Sequence, residues 1–295
     1  MSTHFHQKPN LYTSHVQLKV SNLARSIEYY TTIIGFDILE QRNNTVYLTT
    51  DGKRSLVSLV EVTNAQPLSM GHTGLYHFAL LLPSRKDLGN IVQHFVQHNV
   101  RLGASNHDVS EALYLSDPDG NGIEIYVDRP ENEWTWSKEG YVHMLTEQLN
   151  FQPILAEADG EWNGLPKGTV MGHIHLSVRD LGATEVFYTN ILDYEAVARY
   201  GAQALFISTG KYHHHIGLNT WQSGGGTPAP AEAVGLKYYT IVLKDTDYAD
   251  EVKAALQNSG AVVEYFDEAP GYGGKQVFST IDPNGIRIVF TVEGE

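Results

Sequence analysis

The chain has 295 residues, enough for about two domains of ordinary size. Its net charge of −14 and pI near 5.4 argue against binding the phosphate backbone of nucleic acid. There is no cysteine, which excludes disulfides, thiolate zinc sites, iron–sulfur clusters and a cysteine nucleophile, while 14 histidines leave imidazole as the abundant ligand for a transition metal. The start, MSTHFHQKPN, is polar, and apolar runs such as Phe78 to Leu82 are far too short to span a bilayer. A cytoplasmic protein without a membrane partner is expected.

In chain order, the spacing predicts a strand over His15–Val20, a helix over Leu23–Ile34, and strands over Asp37–Arg42, Thr45–Thr50 and Ser55–Val62, with Asp51-Gly52 as a hairpin turn. A second unit follows: a strand over Tyr76–Leu82, an amphipathic helix over Lys86–Asn99, then short strands. The last two are Leu113–Ser116 and Ile123–Val127, joined by the turn Asp117-Pro118-Asp119-Gly120. From about Arg129 to Val170 the pattern is irregular and rich in Pro, Gly and Trp, which reads as a connector with aromatic anchors. Beyond it the first unit returns. HVQLKVSNLARSIEYYTTIIGFDIL (15–39) reappears as HIHLSVRDLGATEVFYTNILDYEAV (173–197). Likewise GLYHFALLL (74–82) matches GLKYYTIVL (235–243), and SDPDGNGIEIY (116–126) matches IDPNGIRIVF (281–290). A Gly/Pro/Ala-rich loop spans Ser223–Ala231.

The expected fold is therefore α+β, with four βαβββ modules in two pairs. Each pair forms a curved, open-barrel-like sheet with a concave metal or ligand site. The expected domains are 11–128 and 170–293, with 129–169 as connector.

Strand alternation sorts the side chains. Val16, Leu18 and Val20 form an apolar set for a helix to cover, which leaves His15 on the other face. Phe78, Leu80 and Leu82 leave His77, and Ile123, Ile125 and Val127 leave Glu124. Two imidazoles and one carboxylate on a shared face make the facial triad of non-haem Fe(II) oxygenases, with coordination positions open for substrate and O₂.

At this point the chain resembles the vicinal oxygen chelate superfamily, also called the glyoxalase/bleomycin-resistance/extradiol dioxygenase group. The resemblance covers about Ser14 to Thr291 apart from the connector. The run HDVSEALYLSDPDGNGIE (107–124) is similar to the signature of the extradiol ring-cleavage dioxygenases in its His107, Leu113-Tyr114, acidic-Pro-x-Gly turn and Glu124, with Ser105 as a departure two positions before the histidine. The resemblance implies His15, His77 and Glu124 as metal ligands, with His107 and Tyr114 facing the substrate as catalytic groups. It implies Fe(II) as the metal, with Mn(II) as the alternative, and a small aromatic diol and O₂ as partners in aromatic catabolism; homo-oligomerisation stays open.

The C-terminal half keeps His173 in the place of His15 but has Tyr238 for His77 and Val289 for Glu124. Alternation places His173, His175, His213 and His215 on one side there, and His173 with His215 is expected as a second or substitute metal site. No histidine occupies the first module where such dioxygenases carry an additional acid–base group; Ser58 and Glu61 stand there. The leading expectation is extradiol cleavage of a catechol. The alternatives on the same scaffold are a glyoxalase-type lyase or isomerase and a non-catalytic binder of small aromatic compounds.

Overall fold

In the computed structural model, which describes residues 3–265 and 275–293, each repeat forms a strand, a helix and three further strands. Module 1 is β1 (Tyr12–Val20), α1 (Leu23–Glu28, continued by a π-helical turn over Tyr29–Ile34), β2 (Asp37–Arg42), β3 (Thr45–Thr49) and β4 (Ser55–Glu61). Module 2 is β5 (His72–Leu81), α2 (Arg85–Gln97), β6 (Gly103–Asn106), β7 (Ser110–Ser116) and β8 (Gly122–Asp128). The connector contributes β9 (Glu147–Gln148) and α3 (Phe151–Glu157). Module 3 is β10 (Val170–Ser177), α4 (Leu181–Leu192), β11 (Glu195–Tyr200), β12 (Ala204–Ser208) and β13 (Ile216–Asn219), followed by β14 (Thr227–Pro228). Module 4 is β15 (Gly235–Leu243), α5 (Thr246–Asn258), β16 (Glu264–Tyr265), β17 (Lys275–Ile281) and β18 (Arg287–Val292).

The repeats share their local chemistry. Each module helix begins on a side-chain cap that accepts a backbone N–H of the first turn: Asn22 for α1, Ser84 for α2, Asp180 for α4 and Asp245 for α5. The Asp-Pro turns are also held alike. Asp117 accepts the N–H groups of Asp119 and Asn121, and Asp282 accepts those of Asn284 and Ile286. These aspartates serve the turn, so the Asp-Pro-x-Gly signal is structural.

Sheet pairing departs from the expected arrangement. Sheet A runs β16-β17-β18-β15-β1-β4-β3-β2 and so joins modules 1 and 4. Sheet B runs β11-β12-β13-β10-β5-β8-β7-β6-β9, with β14 added to β5, and joins modules 2 and 3. The segments 11–128 and 170–293 therefore do not each close a sheet of their own; the seams are β1 against β15 and β10 against β5, both antiparallel. The seam in sheet B is closely fitted. A Cβ on Gly172 of β10 would lie 2.0 Å from the Tyr126 hydroxyl of β8, so only glycine lets that ring reach across. Within each half the modules still touch through helix-to-turn contacts. Tyr30 donates to Asp117 (3.1 Å), and Asn284 donates to Thr184 (3.0 Å).

One apolar core is continuous through all four modules. It includes Val16, Leu18, Phe78 and Ile123, from the strand faces assigned by alternation to the helix side, together with Ile174 and Phe290 of the later modules. A smaller cluster of Phe5, Trp134, Val142 and Tyr212 anchors the connector. Helix α3 was not legible as a helix because Pro153 reads as a breaker. It lies in the first turn, where no intrahelical N–H is required.

Candidate metal centre and its cavity

The concave face of sheet B gathers a cluster around a small residue, Ala79. Its Cα is paired with Glu124 of β8 on one side and with His173 of β10 on the other, and His77 lies two residues away on the same face. A register shift between Met171 and His173 marks a bulge at Gly172, which re-aims His173 into the cluster. His77 Nε2 lies 3.0 Å from Glu124 Oε2, and His173 Nε2 lies 3.1 Å from the same oxygen. One donor atom from each of the three falls within 4.8 Å of the others, and all three side chains are buried.

The donor set fits a divalent cation. Two imidazoles and one carboxylate from three adjacent strands cap one face of a metal and leave the opposite positions open. Although close to the carboxylate, His77 Nε2 is buried without an aligned hydrogen bond, which leaves it available to a cation. Protonation states agree. Burial alone would raise the Glu124 carboxyl, but the neighbouring His173, which also hydrogen-bonds it, and His77 outweigh that and hold the group well below the usual carboxylate range. Burial lowers His173 despite the opposing pull of Glu124, which favours the neutral, ligating imidazole. Among the described residues this is the one such group of three or more histidines and acidic residues.

His15 is not in this cluster. It sits in β1 of sheet A, paired with Thr240, because module 1 pairs with module 4 rather than with module 2. His173, expected as part of a substitute site, takes its place. His215 does not join it: Ser208 Oγ lies 2.9 Å from its Nδ1, and its Nε2 donates to the Phe5 carbonyl (3.0 Å). Ser58 and Glu61 belong to sheet A as well. Ser58 accepts from Gln17, and Glu61 caps the start of α1 through the Leu23 N–H.

His107 and Tyr114 do reach the site. The register of β7 against β8 sets Tyr114 directly opposite Glu124, and its hydroxyl lies 2.7 Å from His107 Nε2. His107 Nδ1 must donate to the Leu145 carbonyl (2.6 Å), so in the neutral ring Nε2 is an acceptor for the phenol. Burial and the Glu124 charge push the Tyr114 phenol well above its ordinary value. It stays protonated and can pass a hydrogen bond either to His107 or to Glu124.

The residue that sequence reasoning missed is His214. Residues 211–215 lie between β12 and β13 and are not strand, so alternation does not apply and the three imidazoles point three ways. His213 Nε2 donates to Asp128 (2.8 Å). The His213 Nδ1 left over must accept, and its partner 2.8 Å away is His214 Nδ1, which therefore carries the proton. His214 thus has a free lone pair on Nε2. It lines the cavity and lies 4.1 Å, ring centre to ring centre, from His173. Burial, helped by the surrounding imidazoles, drives His214 well below 6.5. The HHH run was the available signal.

Above the cluster lies a cavity of ≈ 350 Å³ whose floor is His77 and Glu124 and whose sides include His107, Tyr114, His214 and Met144. Tyr126, two residues from Glu124 on the same face of β8, is fully buried and its hydroxyl is paired with that of Tyr212 (2.7 Å). No helix among the described residues is long and apolar enough to cross a membrane.

Known proteins share this build. The family profile of the glyoxalase/bleomycin resistance protein/dioxygenase superfamily matches residues 13–125. The catechol-2,3-dioxygenase of Bacillus subtilis (strain 168) is 43% identical over 282 residues, covering 94% of this chain and 96% of that one. A crystal structure of a putative dioxygenase from Bacillus subtilis superposes with a TM-score of 0.68 at 15% identity, over 96% of this chain and 86% of that one. Glyoxalase I from Zea mays does so at 0.57 and 17%, over 96% and 92%. The last two speak for the fold; the first is an identity sustained across nearly the whole of both chains, and by it this chain belongs to the glyoxalase/bleomycin resistance protein/dioxygenase superfamily.

Proposed function

We propose that this chain is an extradiol dioxygenase that opens the ring of a catechol with O₂, using His77, His173 and Glu124 as metal ligands and Fe(II) as the metal, with Mn(II) as the alternative. The observation that carries the reading is the convergence of two imidazole nitrogens and one carboxylate oxygen at the floor of a cavity. The near full-length likeness to a catechol-2,3-dioxygenase supports the same activity. A cytoplasmic setting in aromatic catabolism goes with it. The glyoxalase-type alternative commonly takes a second carboxylate, and the cluster carries one.

When bound, the metal would hold the diol and O₂ side by side and acidify the hydroxyls by its charge. The protein supplies the proton handling. His214 Nε2, left as a lone pair by the Asp128–His213 pairing, is placed to take a hydroxyl proton from the substrate and to return it later. Asp128 balances the positive charge this leaves on the two imidazoles. On another wall, Tyr114 can turn its one O–H from His107 Nε2 to developing oxygen charge, and His107, whose orientation the Leu145 carbonyl fixes, accepts that proton otherwise. Both atoms of O₂ end in the ring-opened semialdehyde.

The test is direct. Protein purified without air, loaded with Fe(II) and given catechol should consume one O₂ per catechol and turn yellow. No uptake with catechol or any substituted catechol would sink the reading.

A further inference from the structure

The cavity changes character from floor to mouth. At the floor, His77 and Glu124 are 7% and 3% exposed; at the mouth, Trp221 is 45% and Tyr200 37% exposed. Between them stand Tyr76 and Phe206. Tyr76 lies 5.3 Å from Trp221, and Phe206 lies 5.7 Å from Tyr200, ring centre to ring centre, so the upper walls are a nearly continuous aromatic collar. A volume of ≈ 350 Å³ falls in the range of about 300–1,000 Å³ typical of drug-sized ligands, more than a bare diol ring fills.

Among the described residues, no lysine or arginine lines this cavity. The arginines of the neighbouring strands are committed elsewhere, Arg129 to Glu111 and Asn106, and Arg199 to Glu185. The fixed charges of the loaded site, Glu124 and the metal it would hold, both lie at the floor where the diol binds, and the collar itself carries none, in a chain of net charge −14. An anionic substituent on the ring would lose its water in the collar without gaining a counter-ion. An apolar substituent would lose only unfavourable hydration and would pack against ring faces.

We propose that this cavity binds catechols diol-first and selects those carrying an uncharged apolar substituent, which the collar of Tyr76, Phe206 and Trp221 covers, over those carrying a carboxylate. The diol-first orientation rests on the ring-cleavage reading above; the selectivity rests on the collar.

The Fe(II)-loaded enzyme, titrated by calorimetry under argon, separates the two. 3-Methylcatechol, 4-methylcatechol and 3-phenylcatechol serve as neutral ligands, and 2,3- and 3,4-dihydroxybenzoate as anionic ones. At least one neutral ligand should bind tenfold or more tighter than either dihydroxybenzoate; a dihydroxybenzoate within threefold of the best neutral ligand overturns the proposal. Admitting O₂ afterwards reads the reaction. Selective binding without O₂ uptake defeats ring cleavage and leaves the selectivity standing, while turnover that favours the dihydroxybenzoates does the reverse. Met144→Arg, which puts a cation in the wall, should tighten dihydroxybenzoate binding about tenfold. Trp221→Ala should lower the ratio of 3-phenylcatechol to catechol affinity at least fivefold. No movement in either variant would show that the collar does not select.

Discussion

His173 and His15 occupy equivalent places in the two sheets. Each follows a bulge in its strand, and each pairs with the middle of the neighbouring module's first strand, His173 with Ala79 and His15 with Thr240. The equivalence extends further. His175 pairs with His77 as Gln17 pairs with Tyr238, and Ala79 pairs with Glu124 as Thr240 pairs with Val289. Sheet A is therefore sheet B with one imidazole replaced by a phenol and the carboxylate replaced by an apolar side chain. The consequence for the histidine is large. His173 Nε2 lies against Glu124, whereas both ring nitrogens of His15 are buried without a hydrogen-bond partner, and burial lowers His15 to about 3. A repeated position does not make a site; the anion next to it does.

The largest effect should come from giving sheet B the residue of sheet A. Glu124→Val leaves two neutral imidazoles with no anion and should abolish metal retention by elemental analysis. It should cut turnover by more than about a hundredfold, beyond what loss of a ligand's supporting contacts costs. Far-ultraviolet circular dichroism should be unchanged, because the valine suits a strand. A variant that still carries a full metal complement would break the comparison outright.

The paired substitutions His173→Ala and His15→Ala come next. The first should weaken metal binding at least a hundredfold in a competition titration with a chelator, while the second should leave both affinity and stoichiometry as they were. The reverse result would move the centre to sheet A, where sequence reasoning placed one of its ligands.

That misplacement has a physical origin. Local patterns carried the modules, since caps, alternation and turns act within a few residues, and strands such as Asp37–Arg42 were legible to the residue. They also put His77 and Glu124 on one face, because β5 and β8 belong to the same module. The partner of that module is a long-range choice, made by fits such as Gly172 against Tyr126 that no periodicity records. Pairing within halves was the simpler expectation, and it exchanged His173 for His15. His214 escaped for a different reason: a three-histidine loop has no period, so only the contacts of its neighbours show which ring is free.

His214 and Asp128 probe what sheet B adds beyond its ligands. His214→Phe removes a proton acceptor of the kind worth about a hundred- to ten-thousandfold in rate. The metal should remain bound. Asp128→Asn acts one step further out. It unsettles the tautomers of His213 and His214 without touching substrate, so kcat should fall roughly tenfold with KM little changed and metal content intact. An equal fall in affinity for metal would assign Asp128 to the cluster rather than to the orientation of His214.

The smallest expected effect tests the empty partner, His15, through stability. Its pKa in the folded chain, about 3, lies below the 6.5 of a free imidazole. Between those values the unfolded chain takes up a proton that the folded chain refuses. The stability is therefore whole above pH 6.5 and is lost as the pH falls, by about 1.4 kcal/mol for each unit until the pH nears the folded value. His15→Leu removes that dependence and also removes two unpaired buried nitrogens. Urea unfolding at pH 7 should show the variant as stable as the parent or more so, and between pH 7 and pH 5 the parent should lose about 2 kcal/mol more than the variant. His6, lowered to about 4 by burial, contributes to both proteins and cancels in the difference. An unchanged pH slope would mean that His15 finds a proton-stabilising partner in solution, and sheet A would then be something other than the anion-free counterpart of sheet B.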